Sequence, residues 1–254
     1  LASEGGYGIN FDFIRPRGSL IKGVGIKHPG VVEYMKIWDQ VSTCIVKGDQ
    51  DGYRDTLKNY LDTDQLIDLE TSVKAMARKG AMMGVLSIWH PDIEEFVRAK
   101  QTSGLLTKFN ISVLVDNKFM EAVENNDFYE LTFNDVVYKK IKAKALEDLI
   151  LESTYKRAEP GILFADNMRK NNPIIYLGET NATNPCGEIP GNPYLTTVCL
   201  LGSLNLTMYV NKDRTFDFET YKADIKVFTR MLDNVCDISY TPLSSYAWAL
   251  KNIR

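Results

Sequence analysis

Short β-rich runs alternate with helical stripes along this chain, and that alternation constrains its fold more than any other feature. Val85-Leu86-Ser87-Ile88-Trp89 and Asn110-Ile111-Ser112-Val113-Leu114-Val115 are two such runs. Between them Pro91 stands where a first helical turn tolerates proline, leading into Asp92-Ile93-Glu94-Glu95-Phe96-Val97. Upstream, Val32, Met35, Trp38, Val41 and Ile45 recur at three- and four-residue spacings, which predicts an amphipathic helix over Val31 to Val46. Downstream, Ile141 to Tyr155 reads as a helix ended by Glu159-Pro160-Gly161, and Phe218 to Val235 as a long closing helix. Gly161-Ile162-Leu163-Phe164 and Ile174-Ile175-Tyr176-Leu177 read as buried strands. The alternation predicts an α/β architecture.

Composition narrows the function classes. At 254 residues, 44% hydrophobic and 25% charged, the chain can bury a real core as one large domain or two small ones. Thirty Lys and Arg against thirty-three Asp and Glu leave a net charge of −3. That argues against direct nucleic-acid binding through a polybasic face, while a local anion pocket stays open. No apolar run reaches the ~18 residues of a membrane span, and no leader pattern is visible. The expected location is cytoplasmic. Cys44, Cys186, Cys199 and Cys236 form no C-x-x-C pair, and only His28 and His90 could complete a zinc site, so no metal centre is expected. The cysteines are expected to be reduced thiols. Both ends look cut, which reads as part of a longer polypeptide. Asp49 to Glu70 holds seven acidic residues against Arg54 and Lys58, the pattern of a solvated surface helix or insertion, placed at about 49–76.

The densest chemistry lies at Asn184-Pro185-Cys186-Gly187-Glu188-Ile189-Pro190. Proline disfavours helix for the residue before it, and an extended chain would point Asn184, Cys186 and Glu188 the same way. An amide, a thiol and a carboxylate in a row suit a reactive sulfur beside a general base. The competing reading is a tight turn holding a buried, inert cysteine. Cys199, in the apolar run Thr196-Thr197-Val198-Cys199-Leu200-Leu201, taken alone reads as a packed core thiol.

Several motifs in order carry a resemblance. They are Gly5-Gly6-Tyr7-Gly8-Ile9-Asn10, Arg15-Pro16-Arg17-Gly18-Ser19, Arg78-Lys79-Gly80-Ala81-Met82-Met83, His90-Pro91-Asp92-Ile93, Lys108-Phe109-Asn110-Ile111-Ser112-Val113, Asn184-Pro185-Cys186-Gly187-Glu188 and Gly202-Ser203-Leu204-Asn205-Leu206. Together they resemble the catalytic large subunit of ribonucleotide reductases over nearly the whole chain apart from the acidic stretch. The resemblance implies part of a ten-stranded α/β barrel, namely one partial catalytic domain over 1–254 comprising most of the first five-stranded half and the finger loop. The second half and an upstream redox cysteine are expected outside this chain, so the isolated chain is expected to be inactive.

By resemblance, Cys186 becomes the thiyl radical that removes the ribose 3′ hydrogen, Glu188 the general base at the 3′-hydroxyl, and Asn184 a ribose-binding amide. Cys199 supplies one of two reducing thiols, and Gly5 and Gly6 let the backbone approach the substrate. Arg15 and the loop from Arg17 to Lys27, with Lys22, meet the phosphates of a deoxynucleotide or ATP effector. Arg78, Lys79, Gly80 and Ala81 belong to the loop, reaching Met83, that relays effector identity. The acidic stretch stands where many relatives have a short glycine-rich connection. Glu188 with Cys199 favours a dithiol-dependent enzyme, and the motif forms look most like the adenosylcobalamin-dependent branch; a separate metal-containing radical subunit is the alternative. Implied partners are the ribonucleotide substrate, the rest of the large subunit, thioredoxin or glutaredoxin, and a second copy of the chain. Two other classes remain open: a non-catalytic nucleotide-binding relative, and a thiol-disulfide oxidoreductase using Cys186 and Cys199.

Overall fold

A computed structural model describes residues 6–58, 81–193, 196, 199–239 and 244–252. The chain divides into two compact units, Leu1–Gly191 and Asn192–Arg254. The first is built on a parallel sheet of β1 (Tyr7–Asn10), β4 (Met82–Ser87), β5 (Phe109–Val115) and β8 (Gly161–Phe164), in that spatial order. Two small antiparallel pairs flank it in sequence: β2 (Leu20–Ile21) with β3 (Ile26–Lys27), and β6 (Phe128–Phe133) with β7 (Val136–Lys142). A third pairs β9 (Ala182–Thr183) with β10 (Pro190–Gly191). The α/β class is thus observed, and the described residues supply four parallel strands.

A parallel sheet covered on both faces needs strands that are apolar throughout, and β4 is buried at all six positions. Side chains alternate faces along each strand. Met82, Leu86, Phe109, Ile111, Val113 and Val115 join one core with the helices α1 (Val31–Lys58), α2 (Ile93–Arg98), α3 (Asn117–Glu124) and α4 (Ala143–Arg157). Met83, Val85 and Leu114 join a smaller cluster on the opposite face with Ala182 and with Ala165 of α5 (Ala165–Asn171). The second face therefore carries the hairpin β9–β10.

Four local expectations are corrected. Gly161–Phe164 forms the expected strand but not a buried one, since Ile162 and Phe164 are exposed. The stripe on α1 is buried only at its start: Val32 and Met35 are in the core, whereas Trp38 and Val41 are exposed. The buried face continues instead through Asp39 and Ser42, and the Asp39 carboxylate accepts the Lys108 N–H at 2.7 Å. The helix expected from Ile141 begins at Ala143, because Ile141 and Lys142 pair with Tyr129 and Phe128. Asn134 and Asp135 both have positive φ between these strands, the geometry of a primed hairpin turn. Ile174–Leu177 is not a buried strand; Ile175–Leu177 is one 3₁₀ turn with Ile175 and Tyr176 exposed. The Asn172 side chain accepts the Ile174 N–H at 3.0 Å and its main-chain oxygen accepts the Ile175 N–H, which bends the chain before a strand can form.

In the second unit α6 (Phe218–Ile238) is capped by Asp217, which accepts the Thr220 N–H at 3.0 Å. It packs at its start beside an aromatic cluster of Tyr209, Phe216, Phe218 and Tyr221. A last helix, α7, covers Ser244–Asn252.

Candidate active site

The parallel register brings residues from three motifs into one row. Gly8 lies beside Met83, and Met83 beside Asn110. All three share the sheet face that carries the β9–β10 hairpin. A Cβ on Gly8 would stand 1.8 Å from the Thr183 carbonyl oxygen, so only glycine lets β9 lie this close. A Cβ on Gly6 would meet Pro185 Cγ at 2.6 Å and the Ala81 carbonyl oxygen at 3.0 Å. In this structure the hairpin itself occupies the space that the missing Gly6 side chain leaves. Asn10, at the end of β1, donates from Nδ2 to the Asn181 carbonyl at 2.9 Å, and Asn110 donates from Nδ2 to the Pro185 carbonyl at 2.7 Å.

The cysteine segment is a turn, not the extended run expected. Gly187 donates its N–H to the Asn184 carbonyl at 3.0 Å, closing a four-residue turn with Pro185 and Cys186 at its centre. Asn184 and Ile189 close the neck: Asn184 N–H to Ile189 O at 3.3 Å, and Ile189 N–H to Asn184 Oδ1 at 3.0 Å. Gly187 takes φ +89°, which lets the chain turn back toward Pro190. Asparagine before proline, and glycine after the next residue, are what such a turn favours. The alternation argument failed because the Asn184–Gly187 bond reverses the chain before Glu188 is reached.

The thiol is at the tip, and it is exposed, as is the Glu188 side chain. The tight-turn alternative thus had the backbone right and the burial wrong. Among the described residues Glu188 carries no ion pair, and Asn184 Nδ2 no hydrogen bond. All three groups are therefore uncommitted in the way a substrate-binding set requires. Cys199 belongs to the second unit and is exposed, outside any strand, rather than packed in a core. All four cysteines are free.

The expected effector loop is held by a buried carboxylate that sequence reasoning did not single out. Asp92 accepts the Arg17 N–H at 2.9 and 3.1 Å and the Val31 N–H at 3.0 Å, so it ties together the two ends of the segment carrying β2 and β3. His90 braces it: Nδ1 accepts the Asp92 N–H at 3.1 Å, which leaves Nε2 to donate to the Ile14 carbonyl at 2.9 Å. Burial lowers the His90 pKa, against the raising influence of the Ile14 carbonyl and of Asp92 and Asp12. A carboxylate between a hairpin base and a helix start was the readable signal, in His90-Pro91-Asp92.

Among the expected effector ligands, Arg15 and Lys22 are exposed. The Arg17 guanidinium is engaged, 3.0 Å from Glu95 and 4.0 Å from Glu33. Burial raises the Glu95 pKa, while Arg17 opposes that rise. Ala81 is exposed just before β4. Gly5, Arg78, Lys79 and Gly80 lie outside the described residues, as does the acidic stretch beyond Lys58. Among the described residues no group of three or more His, Cys, Asp or Glu could hold a metal ion. No helix among them is long and apolar enough to cross a membrane.

Comparison with known proteins places this geometry. The family model described as ribonucleotide reductase, barrel domain, matches residues 1–56 and 68–254. A vitamin B12-dependent ribonucleoside-diphosphate reductase of Thermoplasma acidophilum is 33% identical over 244 residues, covering 95% of this chain and 28% of that protein. Its namesake in Mycobacterium tuberculosis is 31% identical over 253 residues, covering 98% of this chain and 32% of the relative. A ribonucleoside-diphosphate reductase subunit alpha of Chlamydia pneumoniae is 29% identical, covering 94% of this chain and 24% of its own. The chain thus spans no more than about a third of the curated relatives it matches. With the matched residues taking in the parallel sheet and the cysteine hairpin seated on it, this chain belongs to the ribonucleotide reductase barrel-domain family.

Proposed function

We propose that this chain is the part of a ribonucleotide reductase that presents the radical-carrying cysteine, for conversion of ribonucleotides to deoxyribonucleotides. The observation that carries this reading is the exposed Cys186 at the tip of a turn that three strands hold in place, with Asn184 and Glu188 uncommitted beside it. A thiol that only stabilised the fold would be packed. A thiol that takes a hydrogen atom from a sugar and returns it must be open to a ligand, and must keep its direction over both transfers.

In this role the Cys186 thiyl removes the ribose 3′ hydrogen, and its S–H bond later returns one. Glu188 accepts the 3′-hydroxyl proton, while the 2′-hydroxyl takes a proton from one of the two reducing thiols and leaves as water. Asn184 Nδ2 is the donor toward the ribose, since Oδ1 is spent on Ile189. Cys199 is one of the two thiols that supply electrons, recharged by a thioredoxin or glutaredoxin. A thiyl reacts with water-borne species unless shielded. Because Cys186 is exposed, the bound substrate has to cover it during the reaction.

Two relatives named vitamin B12-dependent point to adenosylcobalamin as the radical source. Bound near the site, that group supplies the radical that makes Cys186 a thiyl. The residue such a carrier has to reach is Cys186, whose exposure fits it. We also place effector phosphates at Arg15 and Lys22, with Arg17 joining them when it leaves Glu95. Arg78, Lys79, Gly80 and Ala81 form the relay between effector and substrate. The reductase acts in the cytoplasm, with a second copy as the expected partner.

Substituting Cys186 by Ser in the complete reductase tests the reading, measured as deoxyribonucleotide formed per enzyme. Loss of turnover with unchanged substrate binding is expected, whereas undiminished turnover rejects the radical role. Glu188→Gln should lower kcat with little change in KM. A reversible Cys186–Cys199 disulfide in an enzyme that forms no deoxyribonucleotide would favour the thiol-disulfide class.

A further inference from the structure

We propose that Asn110 is a positioning residue for Cys186. Its side-chain amide selects the orientation of the Pro185–Cys186 peptide, and with it the direction in which the thiol is presented. The inference rests on the assignment of Cys186 as the reacting thiol.

β5 is buried at every position except Asn110. This polar, exposed side chain stands one residue from the start of an otherwise buried parallel strand, where core packing does not account for it. What it does have is one partner, the Pro185 carbonyl, at 2.7 Å. That oxygen can only accept, so the amide must present Nδ2 to it.

The bond falls on the one part of the turn that the hairpin leaves free to choose. The neck is closed by the paired bonds between Asn184 and Ile189, and the mouth by Gly187 N–H on the Asn184 carbonyl. None of these involves the central peptide. Turns of this size exist in two forms that differ by a flip of that peptide, and proline at the second position accepts both. The flipped form demands positive φ at the third position, here Cys186, which keeps a negative φ in this structure. A non-glycine residue resists positive φ by itself, so the turn has a local preference, but only a modest one. Asn110 adds a tertiary hold on the same choice. A flip would carry the Pro185 carbonyl away from Asn110 and swing the Cα–Cβ bond of Cys186 with it. Met83, the middle residue of the row, puts its Cε 3.9 Å from a Cβ built on Gly187, and so backs the turn with apolar contact that lacks directional preference.

Two substitutions separate a donor from a space-filler. Asn110→Asp keeps the shape and replaces the donor by an oxygen facing an oxygen. Asn110→Ala removes the group. A residue that merely fills space would tolerate Asp better than Ala; a donor to the carbonyl predicts the opposite order. The side chain is exposed, so both variants should fold, which equal thermal unfolding would confirm. In the 254-residue chain labelled at cysteine nitrogen, a strong nuclear Overhauser cross-peak from Pro185 Hα to the Cys186 N–H marks the flipped peptide. It should be weak in the unaltered chain, stronger in Asn110→Ala and strongest in Asn110→Asp. In the complete reductase kcat should fall about tenfold in Asn110→Ala, the equivalent of one hydrogen bond, and further in Asn110→Asp, with KM unchanged. An unchanged cross-peak in Asn110→Asp, or a changed cross-peak with undiminished kcat, overturns the proposal. Failure of the Cys186 assignment shows separately, as turnover that survives Cys186→Ser, and in that case the kcat arm falls with it.

Discussion

Two hairpins are tied to the first unit by opposite means. The β2–β3 hairpin is anchored at its base by Asp92, a buried carboxylate that accepts N–H groups from both of its ends and leans on a buried histidine. Among the described residues the β9–β10 hairpin, which carries Cys186, is anchored by neutral groups: the carbonyls of Asn181 and Pro185 receive amides from Asn10 and Asn110, and two glycines let its backbone lie against β1. Charge-assisted bonds are about twice as strong as neutral ones, so the first hairpin is held by energy and the second by fit. The difference suits their proposed tasks. A thiol that exchanges a hydrogen atom gains nothing from a fixed charge at its base, whereas an effector loop bristling with Arg15, Arg17, Lys22 and Lys27 needs a strong root.

That comparison can be broken at several points. The largest effect is expected from Gly8→Ala: the new Cβ would collide with the Thr183 carbonyl, and the hairpin must lift. A displacement of about 1 Å at a catalytic group costs ~100-fold in rate. Turnover of the complete reductase should drop by that much or more, and hydrogen exchange across 182–191 should accelerate while β5 stays protected. Unaltered exchange there would show that fit does not hold the hairpin.

Asp92→Asn comes next. It turns one accepting oxygen into a donor facing donors, and an unsatisfied buried group of this kind costs ~2–3 kcal/mol. Denaturant unfolding should register the loss, with the Cys186 turn unaffected. The same root should weaken in acid. Burial holds the folded pKa of His90 below its unfolded value of about 6.5, so the unfolded chain takes the proton first as pH falls. The stability His90 contributes is fully present above about pH 6.5 and is lost below it, at up to about 1.4 kcal/mol per pH unit. His90→Gln, which can still donate to Ile14, should flatten that part of the stability–pH curve. The smallest effect belongs to Arg17→Ala. Its pairs with Glu95 and Glu33 are largely exposed, and such pairs are worth ~0–1 kcal/mol. Any larger change should appear in effector affinity, measured by nucleotide titration, rather than in melting temperature.

Much of the frame was legible from local pattern. β4, α2 and β5 could be read because a strand buried on both faces is apolar along its length, and because Pro91 marks a helix start; β8 was legible as a strand from its apolar run, although Ile162 and Phe164 are exposed. The hairpin of β6 and β7 was missed although Asn134-Asp135 marks its turn; an expected helix at Ile141 absorbed its second strand. Trp38 and Val41 continue a regular stripe that the fold does not bury, because at this level α1 turns Asp39 and Ser42 inward instead. At the site, Asn184, Cys186 and Glu188 were visible as chemistry but not as geometry. Their spacing suggested one face of a strand, and a single bond from Gly187 to Asn184 made a turn instead.

By itself, the sequence determined the class and the family and singled out the candidate reactive groups, because these follow from residue type, order and short-range periodicity. The seat of the thiol was decided by tertiary structure alone. Gly8, Met83 and Asn110 are tens of residues apart, and only the register of three parallel strands makes them neighbours beneath Cys186. Register depends on how whole strands pack, and no local pattern encodes it.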